Sequence, residues 1–308
     1  MKNRTVRRAT LSIAVVAALT GVAACGSGSS GGSGKGGRAA GQGVTHVSPI
    51  AALRTAADAT GKADSARVES TTSIGDLMSM TGKGSLAWGD GLTGTLTITY
   101  TGGRMSDAMR ATGSTSMQAR YLSDAYYARM SEKFAQQAGG GRHWVRYGYD
   151  DMARLGGGSG AYLKDQLQNT TPNQSVKLLL ASGDVKKAGE EQVDGRHTTH
   201  YHGTVNVADF AGRSSKNLSA SQLADLKKQL SQAGVTTETV DLWINDQNLL
   251  VKKSERGESS NGTMTSTAYY RDYGVKVSTE APPAGDTVDF KDVMKSQAAG
   301  QGASGTSS

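Results

Sequence analysis

The sequence holds a single cysteine, Cys25, among 308 residues. That excludes an intramolecular disulfide and leaves packing and backbone pairing to hold the fold. It also lacks any acidic residue before position 44, where Lys2, Arg4, Arg7, Arg8, Lys35 and Arg38 all lie. Setting those six aside leaves 28 basic residues against 27 acidic ones, so the pI near 9.4 does not describe the body of the chain. A nearly neutral body argues against nucleic-acid binding, whose first requirement is a basic footprint. The uncharged run from Leu11 to Ala24 falls short of the about 20 residues that span a bilayer comfortably. No G-x-x-x-x-G-K-[ST] phosphate loop occurs.

What the N-terminus does contain is a fixed order. Positive residues come first, then the short apolar run, then the small residues Val22, Ala23 and Ala24 before Cys25. Positive, apolar, small is the layout of a secretory signal. The Val-Ala-Ala-Cys ending resembles the lipobox of bacterial lipoproteins. The resemblance implies that residues 1–24 are removed as a signal peptide and that the Cys25 thiol carries a diacylglycerol, often with a further acyl chain such as palmitate on the new N-terminus. Two acyl chains give stable anchoring where one gives marginal binding. The expected location is therefore the extracytoplasmic side of the cell membrane, held by lipid.

Residues 25–43 carry the lipidated Cys and a Gly/Ser-rich tract, read as a linker with an r.m.s. reach of roughly 25 Å. Residues 44–295 are expected to form one folded domain, and 296–308 a disordered tail poor in apolar residues.

Within the domain, Ser48 and Pro49 open a helix that places Ile50, Leu53 and Ala57 on one face, with Gly61 as its end. From Ala66 the period becomes two, with Val68, Ser70, Thr72 and Ile74 on one strand face. Leu86 and Trp88 continue the pattern after a turn expected at Thr81–Gly82, and Leu92 to Tyr100 alternates almost without fault. Arg104–Arg110, Met117–Leu122 and Ala125–Met130 read as further strands, the last two joined by a tight turn at Ser123–Asp124. Short helices follow at Asp150–Leu155, Ala161–Gln168 and Ser175–Ala181, separated by Gly and Pro. Strands return over Asp184–Val193 and His197–Val207. Ser219 and Gln222 have capping-box spacing for a helix that Gly234 ends, with Leu223, Leu226 and Leu230 on one face. Three strands, Thr236–Ile244, Leu249–Glu255 and Met264–Tyr273, complete the pattern, the first two joined by the loop Asn245–Asn248. Strands and helices in blocks argue for an α+β fold with one large antiparallel sheet and helices on one face.

The C-terminal hairpin carries a second resemblance. Val240-Asp241-Leu242-Trp243-Ile244, Leu249 to Lys253, Tyr270-Arg271-Asp272-Tyr273-Gly274 and Pro282-Pro283, with the earlier Val193-Asp194-Gly195 and Thr198 to Tyr201, are similar in style to bacterial lipoproteins with a LolA-like fold. That group includes the mycobacterial glycolipid-carrying lipoproteins and uncharacterised actinobacterial relatives. It implies a strongly curved antiparallel sheet, a half-barrel, with helices packed on the concave face. It also implies a lipid, glycolipid or other hydrophobic ligand in some members and none in others, and a monomer. No invariant functional residue carries over.

Inward-facing Leu86, Trp88, Leu96, Ile98, Tyr100 and Tyr121, with Met105 and Met117, are the candidates to line such a cavity, Met being adaptable to irregular apolar shapes. The alternative is that they fill a core, as apolar residues at strand spacing usually do. An elongated apolar cavity of several hundred Å³ separates a ligand carrier from a protein-interaction or sensor module with a filled core.

Chemistry beyond binding finds little support. His200 and His202 share a strand face, as a metal pair must, but His197 does not and no further ligand is evident. Gly89 to Gly94 satisfies G-x-G-x-x-G, yet a strand follows it where a dinucleotide site needs a helix. Gly28 to Gly32 matches G-x-S-x-G only as a string inside the linker. Asp150–Asp151 and Glu190–Glu191 read as surface charges. The expectation is a binding protein, not an enzyme, with no cofactor and no metal.

Overall fold

The period-two stretch from Ala66 becomes β1 (Ser65–Ile74), and it lies at the centre of the sheet, not at its edge. In the computed structural model, the described residues are 48–155, 160–161, 163–165, 167, 171–206, 219–232 and 234–302. The signal, Cys25 and the linker fall outside them.

Among the described residues, twelve strands form one unclosed, curved sheet. β2 (Met78–Ala87), β3 (Thr93–Gly102), β4 (Ser116–Tyr121), β5 (Ala125–Arg129) and β6 (Trp144–Gly148) follow β1 as an antiparallel meander. On the other side of β1 lie β11 (Gly262–Arg271), β10 (Leu250–Ser259), β9 (Thr237–Asn245), β8 (Arg196–Asn206) and β7 (Lys186–Val193). β12 (Thr287–Asp289) adds in parallel to β6. The exposed edge strand β7 carries Lys186 and Lys187, charges of the kind that discourage edge-to-edge pairing.

Bending has a local cause in β2 and β3. A Cβ on Gly84 would lie 2.0 Å from the Thr95 carbonyl oxygen, and one on Gly94, at φ +140°, 2.2 Å from that of Ser85. Only glycine allows backbones this close.

Helices cover one face. α1 (Pro49–Lys62) is capped by Ser48, whose Oγ accepts from the Ala51 amide, and buries Leu53 and Ala57 while Ile50 stays exposed. It packs on α5 (Asn173–Ser182), where Asn173 donates to the Ala57 carbonyl at 3.1 Å. α5 lies on β8, β9 and β10. α2 (Gly103–Ala111) packs on β2 and β3, α3 (Glu132–Gln137) precedes β6, and α4 (Tyr149–Leu155) follows it. α6 (Ala220–Gln232) has the expected capping box. The Gln222 amide donates to Ser219 Oγ at 3.3 Å, and the Ser219 amide donates to Gln222 Oε1 at 2.9 Å.

Four expectations need correction. The turn at Thr81–Gly82 is mid-strand in β2, and the chain reverses at Gly75–Leu77 instead. Arg104–Arg110 is helix α2: its apolar positions Met105 and Met109 are four apart, which suits a helix as well as a strand. α3 and β6 lie in a stretch given no element. The proposed tail from Ser296 is helical to Gly302, within α7 (Phe290–Gly302), because Phe290 stacks on Tyr147 at 4.8 Å and Val293 is buried.

After β11 an extended strap crosses the face opposite the helices. Ser65 Oγ donates to the Val275 carbonyl at 2.6 Å, and Arg120 donates to that of Glu280 at 3.1 Å. His143 then pins the far end, with its amide and its Nδ1 each 2.8 Å from Asp286 Oδ1. Among the described residues no helix is long and apolar enough to cross a membrane.

Candidate ligand site on the helix-covered face

Directly paired residues of an antiparallel ladder point to the same side, so the register states what the covered face is made of. One row runs Tyr201, Leu242, Lys253, Ala268, Ser70, Gly82, Ile98, Met117. Beside it run Tyr270, Val68, Gly84, Leu96, Ala119, Ala128, Val145. At the rim lie Leu86, Gly94, Tyr121, Tyr126, Tyr147. The floor thus mixes small residues (Ala268, Ser70, Gly82, Gly84) with aliphatic ones (Val68, Leu96, Ile98), and the last row ends in three tyrosines, Tyr121, Tyr126 and Tyr147.

The structure brings the eight candidate residues together. Leu86, Trp88, Leu96, Ile98, Tyr100, Met117 and Tyr121 are buried in one cluster, and Met105 packs against it from α2. They act there as core. What sequence reasoning missed is the aromatic series that continues from Tyr121 through Tyr126 and Tyr147 to Phe290. Tyr121, Tyr126, Tyr147 and Phe290 stack in series at 6.0, 4.5 and 4.8 Å between centroids. Burial pushes the Tyr121 hydroxyl up to about 12, with Tyr100 adding to it. Burial likewise raises Tyr126, Tyr147 and Tyr149. These phenols are therefore neutral across physiological pH. Beside them, a cavity of about 240 Å³ is lined by Asp90, Gly91, Leu92, Leu122, Ser123, Tyr149 and Leu167. The buried Tyr149 hydroxyl has no hydrogen-bond partner among the described residues.

A second polar feature lies under α5. Lys253 Nζ is 2.9 Å from both Glu255 oxygens and donates to Ser175 Oγ at 3.1 Å, while Ser175 donates to Glu255 at 2.8 Å. Burial is the largest single influence on Lys253 and works against its charge, but Glu255, Tyr270 and Glu238 together outweigh it and the ammonium is held above its usual range. Nearby Glu238, only partly exposed, is pushed up to about 8 by burial and by the Glu255 charge. Against 4.5 for an unperturbed glutamate, the folded protein binds this proton more tightly than the unfolded chain. This group's favourable effect is full below about pH 4.5, and stability falls as pH rises to 8. Thermal melts between pH 5 and 9 should show Glu238→Gln gaining several degrees over the parent at the alkaline end, at about 2–4 °C per kcal/mol.

On the open face His200 and His202 do share a side, and both bond Asp241 Oδ1, at 2.7 and 3.0 Å. His200 also bonds Glu191 and stacks on Trp243 at 4.3 Å, and Lys252 lies 3.8 Å over that ring. His197 pairs separately with Asp246. These groups satisfy one another, and among the described residues no His, Cys, Asp and Glu set is placed to hold a metal ion. Glu190 and Glu191 diverge to different partners, and Asp150 and Asp151 pair with Lys164 and with Arg154 and Lys291. Two larger clefts, about 450 and 420 Å³, draw mostly on open-face positions such as Gln118 and Arg129, and Arg67, Glu69 and Lys83.

Comparison with known proteins gives the following. A protein of Streptomyces griseus, known as an uncharacterized 31.2 kDa protein from the rplA–rplJ intergenic region, is 55% identical over 261 residues, covering 84% of this chain and 85% of its own. The Streptomyces coelicolor protein SCO4650, designated a lipoprotein by name, is 47% identical over 311 residues, covering 96% of this chain and 99% of its own. The crystal structure of LprF from Mycobacterium bovis overlaps 77% of this chain and 97% of its own at 14% identity and a TM-score of 0.45. No family model matches.

Proposed function

We infer that this chain, which belongs to the family of these Streptomyces proteins, SCO4650 among them, is a lipid-anchored extracytoplasmic lipoprotein that binds a hydrophobic ligand on the concave face of its sheet. The anchor is a diacylglycerol on Cys25 after removal of residues 1–24, and residues 25–43 are the tether. The driving force for the ligand is apolar transfer from water. One observation supports a ligand above the rest: a cavity of about 240 Å³ opens between the β2–β3 loop and the β4–β5 turn, with Leu92, Leu122, Tyr149 and Leu167 in its lining beside Asp90 and Ser123.

A second reading, an interaction module with a filled core, is favoured by the close packing of the eight candidate residues. Native mass spectrometry of the protein released from its anchor separates the two: co-purified lipid is expected, and its repeated absence favours the module. For the anchor, Cys25→Ala should move nearly all of the protein from the membrane fraction to the soluble one. An unchanged membrane fraction refutes lipidation.

A further inference from the structure

Of the two edges of the sheet, β12 has three residues and β7 has eight. Among the described residues β7 pairs only with β8, so its outer edge offers free N–H and C=O groups to another strand. Of its side chains only Val193 is buried. Lys186 and Lys187 guard this edge against a neutral or basic strand, but the charges of β7 do not end with them. It reads Lys-Lys-Ala-Gly-Glu-Glu from Lys186 to Glu191: two positive charges, two small residues, two negative charges. Turned end for end, that pattern is its own complement.

For the charges to meet, opposed residues must stand on the same side of the sheet. In a regular strand, residues five apart point opposite ways. The ladder to β8 shifts register between Lys187 and Gly189, which makes Ala188 an extra residue. That insertion restores the match. Lys186 lies opposite His202, and Glu191 bonds His200, so both stand on the open face. Lys187 lies opposite Tyr201 and bonds Glu190 at 2.7 Å, so these two share the covered side. A second β7, related by a twofold axis between Ala188 and Gly189, sets Lys186 against Glu191 on one side and Lys187 against Glu190 on the other. On the covered side two Lys187–Glu190 pairs then meet in opposite orientation, and the four charges alternate in sign around a ring. Such a network contributes where an isolated exposed pair contributes little.

We propose that two copies of this chain pair antiparallel through the outer edge of β7, with Lys186 facing Glu191 of the partner subunit and Lys187 facing Glu190 of the partner subunit.

One strand edge makes a small interface, so the dimer is weak in solution, with a Kd of about 100 μM. Sedimentation velocity of the mature chain without its lipid, linker and domain entire, tests this at concentrations up to about 1 mM. Lys186→Glu/Lys187→Glu gives an all-acidic edge, and Glu190→Lys/Glu191→Lys an all-basic one. Each alone should dimerise about tenfold more weakly than the parent, and an equimolar mixture of the two should pair at least as tightly as the parent does. A parent that stays monomeric at about 1 mM overturns the proposal. A dimer unchanged in both variants also overturns it, because the contact then lies on another face. A mixture no tighter than its components overturns the charge register. Glu191 also bonds Trp243, so the all-basic variant can fail to fold. In that event the all-acidic variant decides against the parent, since each of its new carboxylates faces a glutamate and its dimer must weaken.

Discussion

Lys253→Met should lower unfolding stability by about 3–5 kcal/mol, the usual cost of removing one partner from a buried ion pair. The parent arrangement explains the size. Lys253 and Glu255 are each 2% exposed, two residues apart on the covered side of β10, with α5 across them. Without the ammonium, the Glu255 carboxylate keeps only the Ser175 hydroxyl at 2.8 Å. Glu238 is close enough to add to the repulsion whenever it ionises. Glu238, pushed up to about 8, gains its charge as pH rises and then repels the orphaned site, so urea denaturation should find a larger deficit at pH 8 than at pH 5. Lys253→Met/Glu255→Leu should recover most of the loss, because apolar residues of similar volume commonly replace a buried pair at little cost. A single-variant deficit under about 1 kcal/mol would mean that the pair is hydrated, since exposed pairs contribute no more than that. The pair faces the first turn of α5 through Ser175, so the same variants should loosen that helix before the rest, which amide exchange can follow.

Neither the pair nor the stacking of Tyr121 with Tyr126, Tyr147 and Phe290 could be read from spacing, and the reason is the same for both. Period-two alternation states which residues share a face of one strand, and on that basis Leu86, Leu96, Ile98, Tyr100 and Tyr121 are expected to face inward; in the structure all five are buried in one cluster. Alternation does not state which strands become neighbours. Strand β1 pairs with β2 nearby in sequence but also with β11, almost two hundred residues away, so Thr72 lies opposite Ser266. Tyr147 lies in β6, where all four of Trp144, Val145, Tyr147 and Gly148 are buried and only Arg146 is not, so the strand shows no alternation of apolar and polar residues. Lys253 and Glu255 are charged residues that strand spacing alone does not place in a core, and in the structure both are buried under α5. The hairpin at Asn245–Asn248, the turn at Ser123–Asp124 and the Ser219/Gln222 cap were legible because each depends on residues a few positions apart. Asp241, between His200 and His202, is the intermediate case: its acceptor role is plain once β8 and β9 are known to pair, and invisible before.

Gly84→Val should be as damaging as the loss of Lys253, for a reason of shape instead of charge. The three atoms that a Cβ would meet are all backbone: the Thr95 carbonyl oxygen at 2.0 Å, its carbon at 3.0 Å and the Leu96 Cα at 3.1 Å. No rotamer relieves such a clash, so β3 must move off β2. Overpacking a core typically costs 1–3 kcal/mol, and a clash with fixed backbone belongs at or above the upper end, about 3 kcal/mol or more. At about 2–4 °C per kcal/mol the thermal midpoint should fall by roughly 6–12 °C. Gly189→Ala is the control. It lies in edge strand β7, a Cβ there meets nothing within 4 Å, and its φ is ordinary. There the smaller entropy of the unfolded chain should leave stability level or raise it by about 0.4–1 kcal/mol. If both variants melt alike, the close approach of β2 and β3 is not what bends the sheet. If Gly84→Val alone falls, the curvature that gives the protein a concave face depends on the missing side chain at this position.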